Sequence, residues 1–519
     1  MPQILTSTSA LAPAALMAMV ALLALLQRVP TARLWRAGQA LNAAALAAIG
    51  LHAWLGAGSV DRFEVFSTSP VGIAMALLVQ LLSAVIGGFS ARYLQGEPGQ
   101  RRYIAAFAAV LAAVHLLLLA NHWLVLITAW ALVGMALQQL LCFYRDRPFA
   151  RLAALKKRLA DRTADVLLLG ACALAWSEVG SGSLSALWAH LASQGMSTSL
   201  QLSAMALVLA VILRTALLPV HGWLIQVMEA PTPVSALLHA GVVNLGGFVL
   251  IRFAPLLEQA PLARILLLVF GLATAVLAGM VMLTRISIKV RLAWSTVAQM
   301  GFMLIECALG LYTMAALHLL GHSLYKAHAF LSASTAVRQT RRRELHGPVQ
   351  PMASSLAGAP VVSMAVVLSI VAVSDQAPWP WWWSAILGLA WAPLLWLPSS
   401  ATDLVARLWQ ATFGLLVVAG LTTAVRIAHG LPLGIEDRPH QELGLIALVS
   451  MTALYLCLAL LQLRPRWLSR WRRWSYAGFY VDEAYTRLTL WLWPVHWARA
   501  DVARASTGAA AALLTDTSR

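Results

Sequence analysis

The chain has 519 residues, 60% of them hydrophobic and 11% charged, with a mean hydropathy of +0.76. Soluble domains carry about a quarter charged residues, so this composition cannot cover a water-soluble surface and lipid must be the solvent for most of the chain. The 37 Lys and Arg against 20 Asp and Glu give a net charge of +17, but the basic runs are short and lie between apolar spans, which excludes a nucleic-acid surface and points to loop charge that sets membrane orientation.

Apolar runs of about twenty residues, enough to cross a bilayer, are predicted near 8–27, 37–56, 70–92, 103–120, 122–144, 164–179, 200–220, 234–254, 262–283, 292–310, 312–336, 357–374, 382–398, 402–428 and 441–463. The expected fold is therefore an all-α polytopic membrane protein with about 14–16 transmembrane helices. No basic region precedes the first run, so it is read as a retained span and not a signal peptide. The basic clusters are Arg28/Arg33/Arg36, Arg92/Arg101/Arg102, Arg145 to Arg162, Arg285/Lys289/Arg291, Arg338 with Arg341 to Arg343, and Arg464 to Arg473. Each follows an odd-numbered span. That pattern predicts basic loops on the cytoplasmic side and an N-terminus that faces outward. Beyond residue 463, RPRWLSRWRRW spaces Trp467, Trp471 and Trp474 at i, i+4, i+7 with arginines beside them, as in a helix lying on a membrane surface. FYVDEAYTRLTLWLWPVHWA is a further helix, crossing or interfacial. WPWWW at 379–383 suits an interfacial aromatic belt. Cys142, Cys172, Cys307 and Cys457 stand far apart in apolar segments, so neither a disulfide framework nor a metal site is indicated.

Two constellations place ionisable groups inside apolar spans. In HLLGHSLYKAHAF, His318, His322 and Lys326 follow one another at i, i+4, i+8 and form one stripe on a helix. Intramembrane ionisable groups face a bundle interior or a water-filled path and are functional candidates. Histidine exchanges protons near neutral pH, so the stripe reads as a proton relay; a structural hydrogen bond from each group is the alternative. His328 falls off the stripe. In LRTALLPVHGWLIQVMEAPTPVSALLHAGVVNLGG (213–247), Pro219, Pro231 and Pro233 interrupt an apolar pattern, and such breaks are tolerated where they line a cavity. Arg214, His221, Glu229 and His239 surround the breaks, and Arg214 and Glu229 are candidates to pair.

MEAPTPVSALLHAG, LAWSTVAQMGFM (292–303), the HLxxHSLYKAxxFL pattern and RYLQGEPGQRRY resemble the antiporter-like membrane subunits of respiratory complex I and of multisubunit cation/proton antiporters, over about residues 60 to 345. The resemblance implies inverted five-helix repeats with broken helices around a hydrated polar axis. Arg214 falls where those subunits carry a lysine, His239 matches their histidine, and His318, His322 and Lys326 match their central histidines and lysine. Ala131 replaces their glutamate in ITAWALVG, and Asn244 stands where a lysine is frequent. The GFFSKDE-type segment is missing, and Ser374-Asp375 does not replace it. HAGVVNLGGFVLIRFAPLL, LCFYRDRPFARLAALKKR, HSLYKAHAFLSAS and FYVDEAYTRLTLWLWP resemble a narrower branch over nearly the whole chain, the DabB family of membrane subunits of two-component inorganic-carbon transporters. It implies a DabA-like, carbonic-anhydrase-like partner that holds zinc, with no cofactor in this chain.

The domains expected are N-terminal helices (1–102), a first antiporter-like repeat (103–254), a second (255–400), C-terminal helices (401–463), and an interfacial helix and tail (464–519). The function expected is a cation-conducting subunit, not an enzyme, of an energy-coupled CO2 or bicarbonate uptake complex. Its relay is His318, His322 and Lys326, with Arg214, Glu229 and His239 as the entry half, and H+ or Na+ as the ion. The alternatives are a Na+/H+ antiporter or respiratory proton-pump subunit and, from another class, a non-conducting scaffold for a cytoplasmic enzyme.

Overall fold

The computed structural model describes residues 2–26, 28–56, 65–333, 350–373, 377–399, 403–464 and 466–493. The basic cluster at Arg338 and Arg341 to Arg343, the Ser374-Asp375 segment and the tail from 494 lie outside the described residues. Those described form helices and connecting loops, with isolated bridges between loops and no strand. In lipid, backbone groups must be satisfied within the segment, and a helix does this for apolar runs of such length. The helices are α1 (Pro2–Leu25), α2 (Thr31–Leu55), α3 (Pro70–Tyr93), α4 (Gln100–Leu119), α5 (Trp123–Leu141), α6 (Pro148–Val179), α7 (Leu184–Gln194), α8 (Thr198–Arg214), α9 (Gly222–Ile225), α10 (Thr232–Ala240), α11 (Leu245–Arg252), α12 (Ala254–Glu258), α13 (Pro261–Met282), α14 (Ile288–Ala308) and α15 (Tyr312–Leu331). After them come α16 (Ala353–Ala372), α17 (Trp381–Trp391), α18 (Leu404–His429), α19 (Gln441–Leu463), α20 (Ser469–Tyr476) and α21 (Val481–Leu492). Among the described residues nine helical segments are long and apolar enough to cross a membrane, α10 and α11 counting as one. The long helices outside that group are α2, α6, α14 and α15, and the last three carry the buried charges described below.

Loops gather at two ends. At one, Arg101 donates to the carbonyls of Leu26 and Val29, and Arg102 to that of Phe143 at 2.6 Å. Lys156 meets Asp482 there, and the Arg285 guanidinium lies over the rings of Trp294 and Tyr476. At the other, Ser67 N–H donates to Leu119 O, Asn121 N–H to Val65 O, Trp123 N–H to Gly182 O, Val71 N–H to Leu433 O and Arg438 N–H to Gly310 O. The first set joins loops that follow odd-numbered predicted spans and the second joins loops that follow even-numbered ones. Among the described residues, these contacts therefore bring the loops that carry basic clusters to one end of the bundle.

α6 corrects the expected chain path. The Arg145–Arg162 cluster was expected to be a loop, with a span beginning near 164. Instead one helix of 32 residues runs from Pro148, whose missing N–H is harmless in a first turn, to a left-handed Gly180. At 1.5 Å per residue it is about 48 Å long, against a hydrocarbon core of about 30 Å. Arg151, Arg158 and Arg162 stay on its exposed face, while Lys156, Lys157, Asp161 and Asp165 are buried among alanines. α8 then stops at Arg214, and the chain crosses a non-helical stretch, α9 and a short 3-10 turn before α10 begins beside Pro233.

α13 and α14 approach backbone to backbone. A methyl built at Gly301 would lie 2.7 Å from Ala275 N, and one at Gly271 would lie 2.9 Å from Gly301 O. Small residues permit such contact between helices that lipid does not otherwise drive together. Gly301→Val is expected to force them apart and cost about 1–3 kcal/mol. Gly279→Ala, also on α13 but with no atom within 4 Å of the added carbon, should be near neutral. Thermal unfolding in detergent should rank the two in that order; equal midpoints would mean the helices do not touch here.

Candidate functional site

α15 lies against α10 and α14, and its stripe of polar side chains faces them. Glu306 of α14 is 2.8 Å from His318 Nδ1, with side chains 5% and 14% exposed. The His318 and His322 rings are 6.0 Å apart and edge-on. His322 Nε2 donates to the carbonyl of His239 on α10 at 3.2 Å. Lys326 is fully buried and donates to Ser295 Oγ at 2.6 Å and Leu292 O at 3.0 Å, both on α14. The His239 ring stacks on Phe330 at 4.5 Å, and neither of its nitrogens has a protein partner. Asn244, in the 3-10 turn that interrupts α10–α11, donates to Ser323 Oγ at 2.7 Å. Hence Glu306, His318 and His322 follow one another in close contact, His322 reaches the His239 backbone at an interrupted helix, and Lys326 lies one turn beyond His322 on the same face of α15, held by α14. His328 is exposed, off that line.

A second group of charges surrounds the first helix break. The Arg214 guanidinium is 2% exposed. It donates to an Asp165 carboxylate oxygen and, at 2.8 Å, to the carbonyl of Trp130, whose ring it also covers at 4.8 Å. Arg162 holds the other Asp165 oxygen at 2.9 Å. One turn back, Lys157 Nζ lies 2.6 Å from both oxygens of Asp161 and 4.8 Å from the Trp223 ring. Next to it, Lys156 pairs with Asp482 of α21 at 2.8 Å, and Gln226 donates to the same carboxylate at 3.3 Å. His221, fully buried, sits 4.8 Å from the Trp294 ring, between this group and the α15 line.

The structure corrects one expected pairing. Glu229 does not meet Arg214; it lies at the surface in the short 3-10 turn after α9, 3.6 Å from Arg147, with 39% of its side chain exposed. A buried guanidinium requires a buried counter-charge, and Asp165, near the start of the predicted 164–179 span, supplies it. Sequence reasoning also missed Glu306, Lys157, Asp161 and Asp482. Glu306 could have been found as a lone carboxylate in an apolar run. The α6 residues could have been found by their spacing, with Lys157, Asp161 and Asp165 at i, i+4, i+8. Among the described residues no group of three or more His, Cys, Asp or Glu is placed to hold a metal ion.

The family model for the transmembrane domain of NADH:quinone oxidoreductase and Mrp antiporter subunits matches residues 120–390. A probable inorganic carbon transporter subunit DabB from Hydrogenovibrio crunogenus is 38% identical over 444 residues, covering 82% of this chain and 83% of the relative. The chain belongs to the DabB family. A second subunit of the same description, from Halothiobacillus neapolitanus, is 44% identical over 274 residues, and the match spans 53% of this chain and half of that one. The solved Mrp complex of a Dietzia species has the same fold, with a TM-score of 0.60 at 22% identity, covering all of this chain and 60% of that one. This DabB-family chain is thus an antiporter-like membrane subunit with inorganic-carbon transporter subunits among its relatives.

Removing one partner of a buried ion pair costs about 3–5 kcal/mol, because a charge is left in a medium that cannot solvate it. Arg214→Ala should fall at the low end, since Arg162 remains on Asp165. Arg214→Leu combined with Asp165→Leu should regain most of the loss. Unfolding midpoints of the solubilised protein test this, and an unchanged midpoint for Arg214→Ala would show that Asp165 does not depend on it.

Proposed function

We propose that this DabB-family chain conducts protons through the membrane as the ion-carrying subunit of an inorganic-carbon uptake complex. The observation that carries the reading is the line of ionisable side chains Glu306, His318, His322 and Lys326 along the α14–α15 interface, with His239 facing it from an interrupted helix. Imidazoles, a carboxylate and an amine can each take up and release a proton, and two of the buried imidazole nitrogens are left for water or an incoming proton to meet. The line is made mostly of nitrogens, whereas hard cations favour oxygen ligands, which supports H+ over Na+. The chain itself is not the enzyme on this reading. Carbonic-anhydrase-like chemistry, and the zinc it needs, belong to a DabA-like partner bound at the cytoplasmic end, where the basic loops gather in a bacterial inner membrane. One charge moved through about 100 mV releases about 2.3 kcal/mol, enough to bias hydration chemistry more than tenfold, since about 1.4 kcal/mol is a factor of ten.

Bicarbonate accumulation in a strain lacking carbonic anhydrase, with the partner co-expressed, should fall at least about tenfold for Lys326→Ala, His322→Ala and Glu306→Gln at unchanged membrane levels. Accumulation equal to the parent in all three would remove the relay. Antiport in everted vesicles without the partner would favour an antiporter, and uptake without proton flux would favour a scaffold.

A further inference from the structure

The exposed faces of α5 and α6 change character where the two helices meet the Cys142–Arg147 loop. On α5, exposed Leu132 and Met135 lead at helical spacing to Gln139 and Cys142. On α6, exposed Leu169 and Val166 lead in the same way to Arg162, Arg158 and Arg151. Where the two stripes turn polar, a cleft of about 430 Å³ opens, walled by Gln138, Gln139, Cys142, Arg145, Arg151 and Arg158. The wall is thus three guanidiniums, two carboxamides and a thiol, with no carboxylate; Asp146, the neighbour of Arg145, is not part of it. An adjoining space of about 290 Å³ shares Gln138, Cys142, Arg151 and Arg158 and adds Ala154, Leu155 and the Trp493 ring. One side of the cleft is made of hydrogen-bond donors and the other is apolar.

Membrane orientation calls for basic residues on one side, but not for three of them around one cleft. Like charges that converge without a carboxylate raise the local potential and favour an anion, and guanidiniums match phosphate oxygens two at a time. The apolar side selects which anion. A free phosphate gains nothing from Ala154, Leu155 and Trp493, whereas a phospholipid presents phosphate and hydrocarbon together. We propose that the α5–α6 cleft binds an anionic phospholipid, its phosphate among Arg145, Arg151 and Arg158 and its acyl chains along the exposed stripes that begin at Met135 and Val166. Basic pockets between transmembrane helices take such headgroups. The bound lipid neutralises the arginines on the exposed face of α6, along the half of that helix whose other face buries Lys156, Lys157 and Asp161.

The Cys142 thiol, which lines both parts of the cleft, serves as the reporter. Cys172 and Cys307 are buried, so in the full chain carrying Cys457→Ala the rate of alkylation by N-ethylmaleimide reads Cys142. In nanodiscs, phosphatidylglycerol should slow that alkylation severalfold relative to phosphatidylcholine. Arg145→Gln combined with Arg158→Gln, both at exposed positions, should leave the unfolding midpoint in phosphatidylcholine unchanged. The double variant should also need roughly thirtyfold more phosphatidylglycerol for the same protection, the loss of two cations near an anionic headgroup. Equal alkylation of the parent in the two lipids overturns the site, and so does parent-like protection of the double variant. Inorganic phosphate that shields Cys142 in phosphatidylcholine as well as phosphatidylglycerol does overturns the lipid in favour of a soluble anion. Shielding that appears only with the partner subunit overturns it in favour of a protein contact. If the double variant falls in level, Gln139→Glu, which adds a carboxylate to the wall without removing a cation, must speed alkylation in phosphatidylglycerol, and unchanged protection overturns the site. No ion flux enters these measurements, so they judge the cleft independently of the reading of the chain as ion-conducting.

Discussion

Charge buried in lipid must be answered by charge, and the Arg214–Asp165 pair is where this chain meets that demand most directly. α8 ends on a guanidinium with almost no exposed surface. Its counter-ion comes from α6, and its remaining hydrogen bond comes from the α5 backbone at Trp130. Three helices are thereby fixed around the point where α8 breaks. Near that junction, Asp161 holds Lys157 one turn before Asp165, and the broken segment places Trp223 against Lys157. The second polar line uses neutral and singly charged groups on α14 and α15, held by hydrogen bonds to backbone carbonyls and Ser295. The two regions meet where α14 presents Trp294 to His221 and the next residue, Ser295, to Lys326.

Much of the fold was legible, because a twenty-residue apolar run has few ways to exist in lipid and because short basic loops mark one side. The α15 stripe was also legible: three ionisable residues at helical spacing in an apolar run admit little other arrangement. α6 was not. Its first half is rich in arginine and lysine, and the rule that assigns short basic stretches to loops assigned it to solvent. Only the partners, Asp161 from the same helix and Asp482 from the far end of the chain, make its lysines burial-competent. Sequence spacing reveals the first of these partners but not the second. The Arg214–Glu229 expectation failed for a related reason. Opposite charges close in sequence are not close in space once a helix breaks between them, and the intervening 3-10 turn carries Glu229 outward to Arg147.

The glycine contacts show how tightly this polar region is built. Side-chain atoms occupy space that a single methyl on a neighbouring backbone would take, at Gly134 and Gly222 alike. In a bundle otherwise packed by alanine, leucine and valine, such positions keep polar groups in place without spending further hydrogen bonds on them. They also couple α5, α6 and the broken segment into one rigid set, while the exposed faces of α18 and α19, carrying Leu416 and Val449, are shaped for lipid.

The Lys156–Asp482 bond joins residues 326 positions apart. While the chain is being made, α6 enters the membrane long before its carboxylate partner exists. Lys156 must therefore wait in water or headgroups until the last helices emerge. Synthesis order thus makes α21 a late addition to the first polar region, and a subunit truncated before Asp482 would leave that lysine without its acid.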